Sequence, residues 1–455
     1  SGIMVHIIAS ASRFSLIIFI AIYTYYCFAA LKSNISYARQ ERLYKKQTTL
    51  MYGILVNGNL VLFVVYQDMR ILGLMICEIL LFIITLLIYK HIYENASKSL
   101  VNNMCMLLTI SFIILTRLDI EKAIKQFIFA AVAVVITCFI PLLVAKLKVW
   151  NKLRFLYGVI GIAGLSFVLV AASTTYGAKL SISIGPVVLQ PSEFIKIIFI
   201  FFSACMLQET AEFSHIVKTT VIAALHVLIL VASRDLGGAL IYLVTYLVML
   251  YVATRKPIYM FLGVASGALA SVVAYHLFDH VKDRVIAWKD PLSVIDDQGY
   301  QISQSLFAIG SGGWFGTGLG LGMPNKIPVV TTDFVFAAIS EEMGAVFAIC
   351  IIFICISCFL MFFNISMQIK DYFYKLIALG IGTLYGTQTF LALGGVTKFI
   401  PSTGVTLPLV SYGGSSLLST IILFAIIQGL YVLQFDEGED DEEVGQPSKK
   451  RRQRS

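Results

Sequence analysis

Apolar side chains run along this chain in blocks too long for strands, separated by short polar breaks. The blocks lie near residues 15–31, 50–66, 71–89, 102–118, 124–145, 155–174, 193–207, 219–233, 238–253, 258–278, 334–363, 376–393 and 415–433. A helix rising ~1.5 Å per residue needs about 20 residues to cross ~30 Å of hydrocarbon, and most blocks approach that length. The pattern predicts an all-α polytopic membrane protein with about 13 transmembrane helices.

Composition agrees and removes alternatives. Of 455 residues, 58% are hydrophobic and only 13% charged, with a mean hydropathy of +0.86. That is more apolar surface than soluble cores of this size bury. The eight cysteines all fall in or beside apolar blocks, which excludes a disulfide framework. Cys355 and Cys358 have CxxC spacing but lack a second Cys or His pair, so no zinc site is expected. Ser1 and Gly2 ahead of Met4 read as a cloning remnant, with no cleavable signal peptide expected before the first block.

The net charge of +8 comes largely from short loops, so it bears on orientation rather than on a nucleic-acid partner. Lys32, Arg39, Arg42, Lys45 and Lys46 crowd the first loop. Alternate loops continue with Lys90 and Lys98, then Lys146, Lys148, Lys152 and Arg154, then Arg255 and Lys256, then Lys370 and Lys375. These loops are expected to be cytoplasmic, which puts the N-terminus outside and the C-terminus inside. Segments 175–192, 234–237, 279–333 and 394–414 are then external. Residues 434–455, acidic and then basic, are expected to form a disordered cytoplasmic tail.

The external segments hold most of the unusual chemistry. In QPSEFIK, Glu193 and Lys196 stand three apart on one helix face, where opposite charges neutralise each other at membrane depth. Arg234 and Asp235 in SRDLGG close one block and open the next. The long segment carries adjacent carboxylates, Asp296 and Asp297, just before Gly299, with Gln301, Ser303, Gln304 and a glycine run from Gly310 to Gly322 close by. Trp288, Tyr300 and Trp314 offer flat faces for sugar rings. The glycine run lacks the GKS or GKT that ends a P-loop. Asp333, Glu341 and Glu342 follow on a helix entering the membrane, where the two glutamates need partners or water. Finally, Lys398, Thr403, Ser411, Tyr412, Ser415 and Ser416 lie in a stretch that Pro401, Pro408 and paired glycines prevent from being one helix. Free backbone N–H groups beside Lys398 suit an anion such as a diphosphate.

Taken in order, QPSEFIK, RDLGG, DDQGYQISQSLFAIGSGG, TTDFVFAAISEEMG and PSTGVTLPLVSYGGSS resemble the signature segments of the SEDS family, the FtsW, RodA and SpoVE proteins of bacterial cell-wall synthesis. The resemblance divides the chain into an N-terminal three-helix extension (1–100), a ten-helix core (101–433) and the charged tail (434–455). It implies a peptidoglycan glycosyltransferase of the bacterial cytoplasmic membrane that polymerises lipid II on the outer face, beside a class B penicillin-binding protein, in division, elongation or sporulation. The family's proposed base is an Asp shortly before the Gly-aromatic-Gln segment, which falls here on Asp296 or Asp297. The chain departs from the family there: ungapped counting back from Gly299 meets Val294, and Asp290 is a third acid nearby. The resemblance also places Glu193, Lys196, Lys398 and the 411–416 segment around a central cavity. A divalent cation, Mg or Mn, suits the diphosphate, with no ligand set assigned and no organic cofactor expected. Two other readings stand beside the polymerase: a lipid II transporter, since broken helices and intramembrane charge also describe transporters, and an inactive scaffold for a penicillin-binding protein.

Overall fold

Long apolar runs with no water to bond their backbone must satisfy it internally, and they do so here as helices. The computed structural model describes residues 2–175, 178–185 and 187–443. Its helices are α1 (Gly2–Ala30), α2 (Tyr37–Tyr66), α3 (Met69–His91), α4 (Lys98–Leu118), α5 (Ile120–Thr137), α6 (Ile140–Lys146), α7 (Arg154–Ala171) and α8 (Ser192–Leu207). They continue with α9 (Phe213–Ala232), α10 (Leu236–Thr254), α11 (Pro257–Leu277), α12 (Asp279–Lys289), α13 (Tyr300–Gly312), α14 (Val335–Gln368), α15 (Tyr372–Val396) and α16 (Gly414–Glu443). Aspartates cap several of the turns between them. Asp119 accepts from Glu121 N, Asp235 from Gly238 N and Asp371 from Tyr374 N, each satisfying a free amide at a helix start.

Among the described residues, twelve helical stretches are long and apolar enough to cross a membrane, α5 and α6 together forming one of them. The protein is a multi-pass membrane protein. The expected span at 193–207 is present as α8, but its 16 residues reach only about 24 Å, short of the hydrocarbon thickness. It is nevertheless central, with both flanks buried from Ser192 to Leu207.

Three elements differ from the sequence reading. The loop expected at 32–49 is mostly helix, because α2 starts at Tyr37 and its Arg, Gln, Glu and Lys residues favour helix once the chain has turned. The segment before α8 forms a small antiparallel sheet of β1 (Ser173–Thr175), β2 (Ala178–Ile184) and β3 (Val187–Leu189). Its alternation of Leu180, Ile182 and Ile184 with Ser181 and Ser183 is a strand period, and Gly185 turns the second hairpin at φ +62°. The backbone of α16 stays helical to Glu443, so the acidic half of the expected tail continues the last span; residues 444–455 lie outside the described residues.

Helices α1–α3 pack onto the rest of the bundle rather than beside it. α2 lies on α4, and α1 lies on α2 and α14. α4 is consequently buried along its whole length from Ser99 to Arg117. Its polar residues bond α1 and α2: Asn103 Oδ1 accepts from Tyr23 (2.8 Å), and Asn102 donates to Gln47 (3.0 Å). Neutral hydrogen bonds inside a bilayer each contribute modestly, and here they also set the register between α1, α2 and α4.

Candidate functional site

The bundle has one face built from the 279–333 segment, the 397–413 stretch and the starts of α8, α10, α14 and α16. The chain reaches it first through α8. Lys196 Nζ lies 2.5 Å from Glu193 Oε2 and donates to Gln388 Oε1 at 3.0 Å, while Ser419 donates to the same Glu193 oxygen at 3.1 Å. Gln388 Nε2 donates to Thr406 O, and Thr406 and Ser416 share a hydroxyl hydrogen bond of 2.9 Å. Ser415 Oγ accepts from Gln190 N just before α8. The expected pair therefore exists, and it is stitched to α15 and α16 through Gln388 and Ser419, neither of which the sequence singled out.

The 403–406 strand of irregular backbone crosses from this pair to a second charged group. A side chain at Gly237 would meet Thr403 O at 2.8 Å, so only glycine lets that backbone lie against the start of α10. One residue on, Gly404 takes φ +69° and sits 3.3 Å from Arg284 Nη2 and 3.8 Å from Asp333 Oδ2, measured from its missing Cβ. Arg284 of α12 thus faces Asp333 and, further off, Asp235. Burial raises both carboxyls above their ordinary range, Asp235 to about 6, while Arg284 partly offsets that rise in each. Arg284 is half-buried and makes no hydrogen bond or ion pair among the described residues, so its five donors are unspent. Burial lowers its affinity for its proton, with Asp333 and Asp235 opposing that, and a guanidinium stays charged throughout. The sequence reading missed Arg284. Its signal was an arginine directly before the apolar VIAW run of a segment already marked as functional.

Ser411 and Tyr412 brace this group. Ser411 Oγ donates to Thr332 O, and Tyr412 N donates to Thr331 O, which ties the 411–416 turn to the residues around Asp333. Gln126 of α5 bonds Ser411 O and Gly413 N, and Lys122 Nζ bonds Thr331 Oγ1.

Asp296 and Asp297 occupy an exposed turn between α12 and α13, and neither carboxylate makes a hydrogen bond or ion pair among the described residues. Asp290 differs in accepting from Ser293 N. The turn is docked at both ends: Trp288 Nε1 donates to Lys398 O, Ser305 Oγ to Val396 O, and Gly299 packs where a side chain would overlap Pro291 O. Gln301 is exposed and Gln304 half-buried on α13. Lys398 has φ +61°; its carbonyl is held by Trp288 and its side chain is unbonded among the described residues. Arg234, exposed, lies with its guanidinium over Phe278.

Glu341 and Glu342 do not join the charged group. α14 is broken at Gly344 (φ +89°), and the amides and carbonyls freed there are taken by the glycine run: Thr317 N and Gly318 N donate to Glu341 O and Glu342 O, while Ala345 N and Val346 N donate to Gly313 O and Trp314 O. The glutamate side chains complete this joint. Glu341 accepts from Met323 N, and Glu342 accepts from Gly320 N, Gly322 N and the buried Arg117 at 2.7 Å. The partners these two glutamates required are thus a loop and an arginine of α4. Helix α1 reaches the same loop, since Arg13 Nη1 donates to Gly316 O and Phe14 meets Phe315.

Residues 95–433 match the FtsW/RodA/SpoVE family of cell cycle proteins. The chain belongs to this family. The matched region leaves α1–α3 outside it. The chain is 39% identical over 294 residues to the peptidoglycan glycosyltransferase RodA of Mycobacterium tuberculosis, a match that covers 60% of this chain and 63% of that protein. It is 33% identical over 319 residues to stage V sporulation protein E of Bacillus subtilis, covering 66% and 84%. In three dimensions it resembles a chain of a peptidoglycan synthase complex that coordinates polymerization and crosslinking, with a TM-score of 0.63 and 25% identity, over 75% of this chain and 98% of that one. The fold of the rod shape determining protein RodA of Thermus thermophilus is also similar, with a TM-score of 0.57 at 22% identity over 74% and 96%.

Proposed function

We propose that this FtsW/RodA/SpoVE member is a peptidoglycan glycosyltransferase that joins lipid-linked disaccharides at the face carrying the 279–333 segment, the outer face by the positive-inside pattern. The observation that carries this reading is Arg284: a guanidinium with all its donors unspent, held beside Gly404, Asp333 and Asp235, in the same 279–333 segment as a turn whose two carboxylates are also unbonded. Glycosyl transfer needs both parts. A carboxylate takes the proton from the acceptor sugar hydroxyl as the new C–O bond forms, and a cation receives the charge on the departing diphosphate. Arg284 suits the second role because a planar guanidinium binds phosphate oxygens in pairs. Asp296 is the base in this reading, with Asp297 second and Asp290 third. The Glu193–Lys196–Gln388 group ties α8 to α15 beside this face.

Among the described residues no three His, Cys, Asp or Glu side chains gather as a metal site. A Mg or Mn ion therefore enters the proposal only as one held mainly by the diphosphate itself, as Mg commonly is, and no step is routed through it. A class B penicillin-binding protein is the proposed partner, in division, elongation or sporulation.

The test is polymerisation of lipid II by the purified full chain with such a partner added. Glycan strands are expected from the wild type and none from Asp296→Ala with its helix content intact. Strands that persist in both Asp296→Ala and Asp297→Ala would sink the base assignment. Lipid II crossing liposome bilayers without polymer would overturn the enzyme reading in favour of transport.

A further inference from the structure

We propose that a groove between α1 and α2, on the face opposite the 279–333 segment, binds the headgroup of an anionic phospholipid. Arg39, Arg42 and Lys46 stand at i, i+3 and i+7 on α2, which puts all three on one helix face with Leu43 among them. Tyr25, Tyr26 and Ala29 of α1 form the opposite wall, and the groove has a volume of about 280 Å³. Ala29 and Leu43 are buried at its floor. Lys46 Nζ lies 5.6 Å from the Tyr26 ring centre, a cation–π contact that tethers the ammonium at the wall.

The positive charge here is not neutralised by the protein. Glu41 is the only acidic residue before Asp68, and Lys98 engages it at 2.6 Å. Arg42 spends one guanidinium hydrogen on Ala38 O, while the side chains of Arg39 and Lys46 make no hydrogen bond or ion pair among the described residues. Three cations with one anion drawn away attract an external anion.

Depth identifies the anion as a lipid headgroup. The apolar run of α2 begins at Leu50, so at ~1.5 Å per residue Lys46 stands about 6 Å and Arg42 about 12 Å beyond the hydrocarbon, where lipid phosphates lie; Arg39 reaches in from the water side. Below the groove, Ile18 and Ile22 lie on the same stripe of α1 as Tyr25 and Ala29, and they are 55% and 38% exposed. A headgroup seated on the cations therefore finds an apolar track for its acyl chains, which a soluble phosphate does not use. Basic clefts between helices on the cytoplasmic side suit anionic headgroups in this way.

Native mass spectrometry of the delipidated full chain, titrated with phosphatidylglycerol or phosphatidylcholine, tests the proposal. One phosphatidylglycerol per chain is expected to be retained, with no retained phosphatidylcholine. Arg39→Gln/Arg42→Gln/Lys46→Gln should raise the dissociation constant about tenfold or more, and Arg42→Gln alone by part of that. A control that removes the same charge from the same face, Lys146→Gln/Lys148→Gln/Lys152→Gln, should shift it by no more than about twofold. All three groove residues are exposed, so the variant keeps its helices, which circular dichroism checks. Equal losses in groove and control variants would reduce the effect to general surface attraction and overturn the site. Displacement of the lipid by millimolar inorganic phosphate would overturn the lipid assignment. Because the readout is lipid retention, failure here is distinct from failure of the polymerase reading.

Discussion

Removing the Arg117 side chain should loosen one joint of this protein without unfolding it. Arg117 and Glu342 are an ion pair at 2.7 Å with side chains 7% and 0% exposed, and Arg117 Nη2 also donates to Gly322 O at 3.0 Å. Arg117→Ala leaves Glu342 buried with two backbone amides and no counter-charge. Breaking a buried pair from one side costs about 3–5 kcal/mol, because the surviving charge is desolvated and uncompensated. The joint that holds this charge is the glycine run against the break in α14, so the cost falls on local opening there. Hydrogen exchange at Gly320 and Gly322, whose amides donate to Glu342, should quicken by about 150- to 5000-fold, the same free energy expressed as a rate. Exchange in α15 should hold at its wild-type rate. Arg117→Ala/Glu342→Gln removes the stranded charge and should exchange more slowly than Arg117→Ala alone. Unchanged exchange at Gly320 and Gly322 in Arg117→Ala would refute the reasoning, as would equal acceleration throughout the bundle.

Three further outcomes follow from the geometry. Gly344→Ala should abolish the monodisperse peak in size-exclusion chromatography, since its Cβ would lie 2.4 Å from Gly316 N at φ +89°, whereas Gly310→Ala, with nothing within 4 Å, should be tolerated. Asp235→Asn keeps an α10 cap but loses a carboxyl whose folded pKa is raised from 3.8 to about 6. The folded wild type holds the extra proton between those values, so its stability falls as pH rises through that window; the thermal midpoint of the variant should gain on wild type from pH about 4 to about 6 and then level off. Arg284→Gln should lower lipid II polymerisation by about a hundredfold or more, chiefly in turnover, while Arg284→Lys recovers only part, because an ammonium cannot grip two phosphate oxygens in one plane.

The all-α membrane architecture was legible in the chain because a bilayer leaves the backbone little choice: apolar blocks of this length must be helices, and their spacing alone marks them. The five motif segments were legible for a related reason, since glycines, prolines and charges at membrane depth are costly and stand out against apolar neighbours. Glu193 and Lys196 could be paired from sequence because helical spacing of three brings them together. Pairings that span hundreds of residues could not be read this way. Arg117 with Glu342, Lys196 with Gln388, and Arg284 beside Gly404 and Asp333 depend on which helices become neighbours, and no local period encodes that. The glutamates of SEEMG show the difference most plainly: by sequence they were intramembrane acids in need of partners or water, and in the fold they close a broken helix onto a glycine loop. Sequence alone determined that polar chemistry gathers on one side of this protein, because hydrophobicity and charge are properties of residues. Only the tertiary structure decided which of those residues brace the scaffold and which, like Arg284, keep their donors free, because a hydrogen bond already made is a property of neighbours.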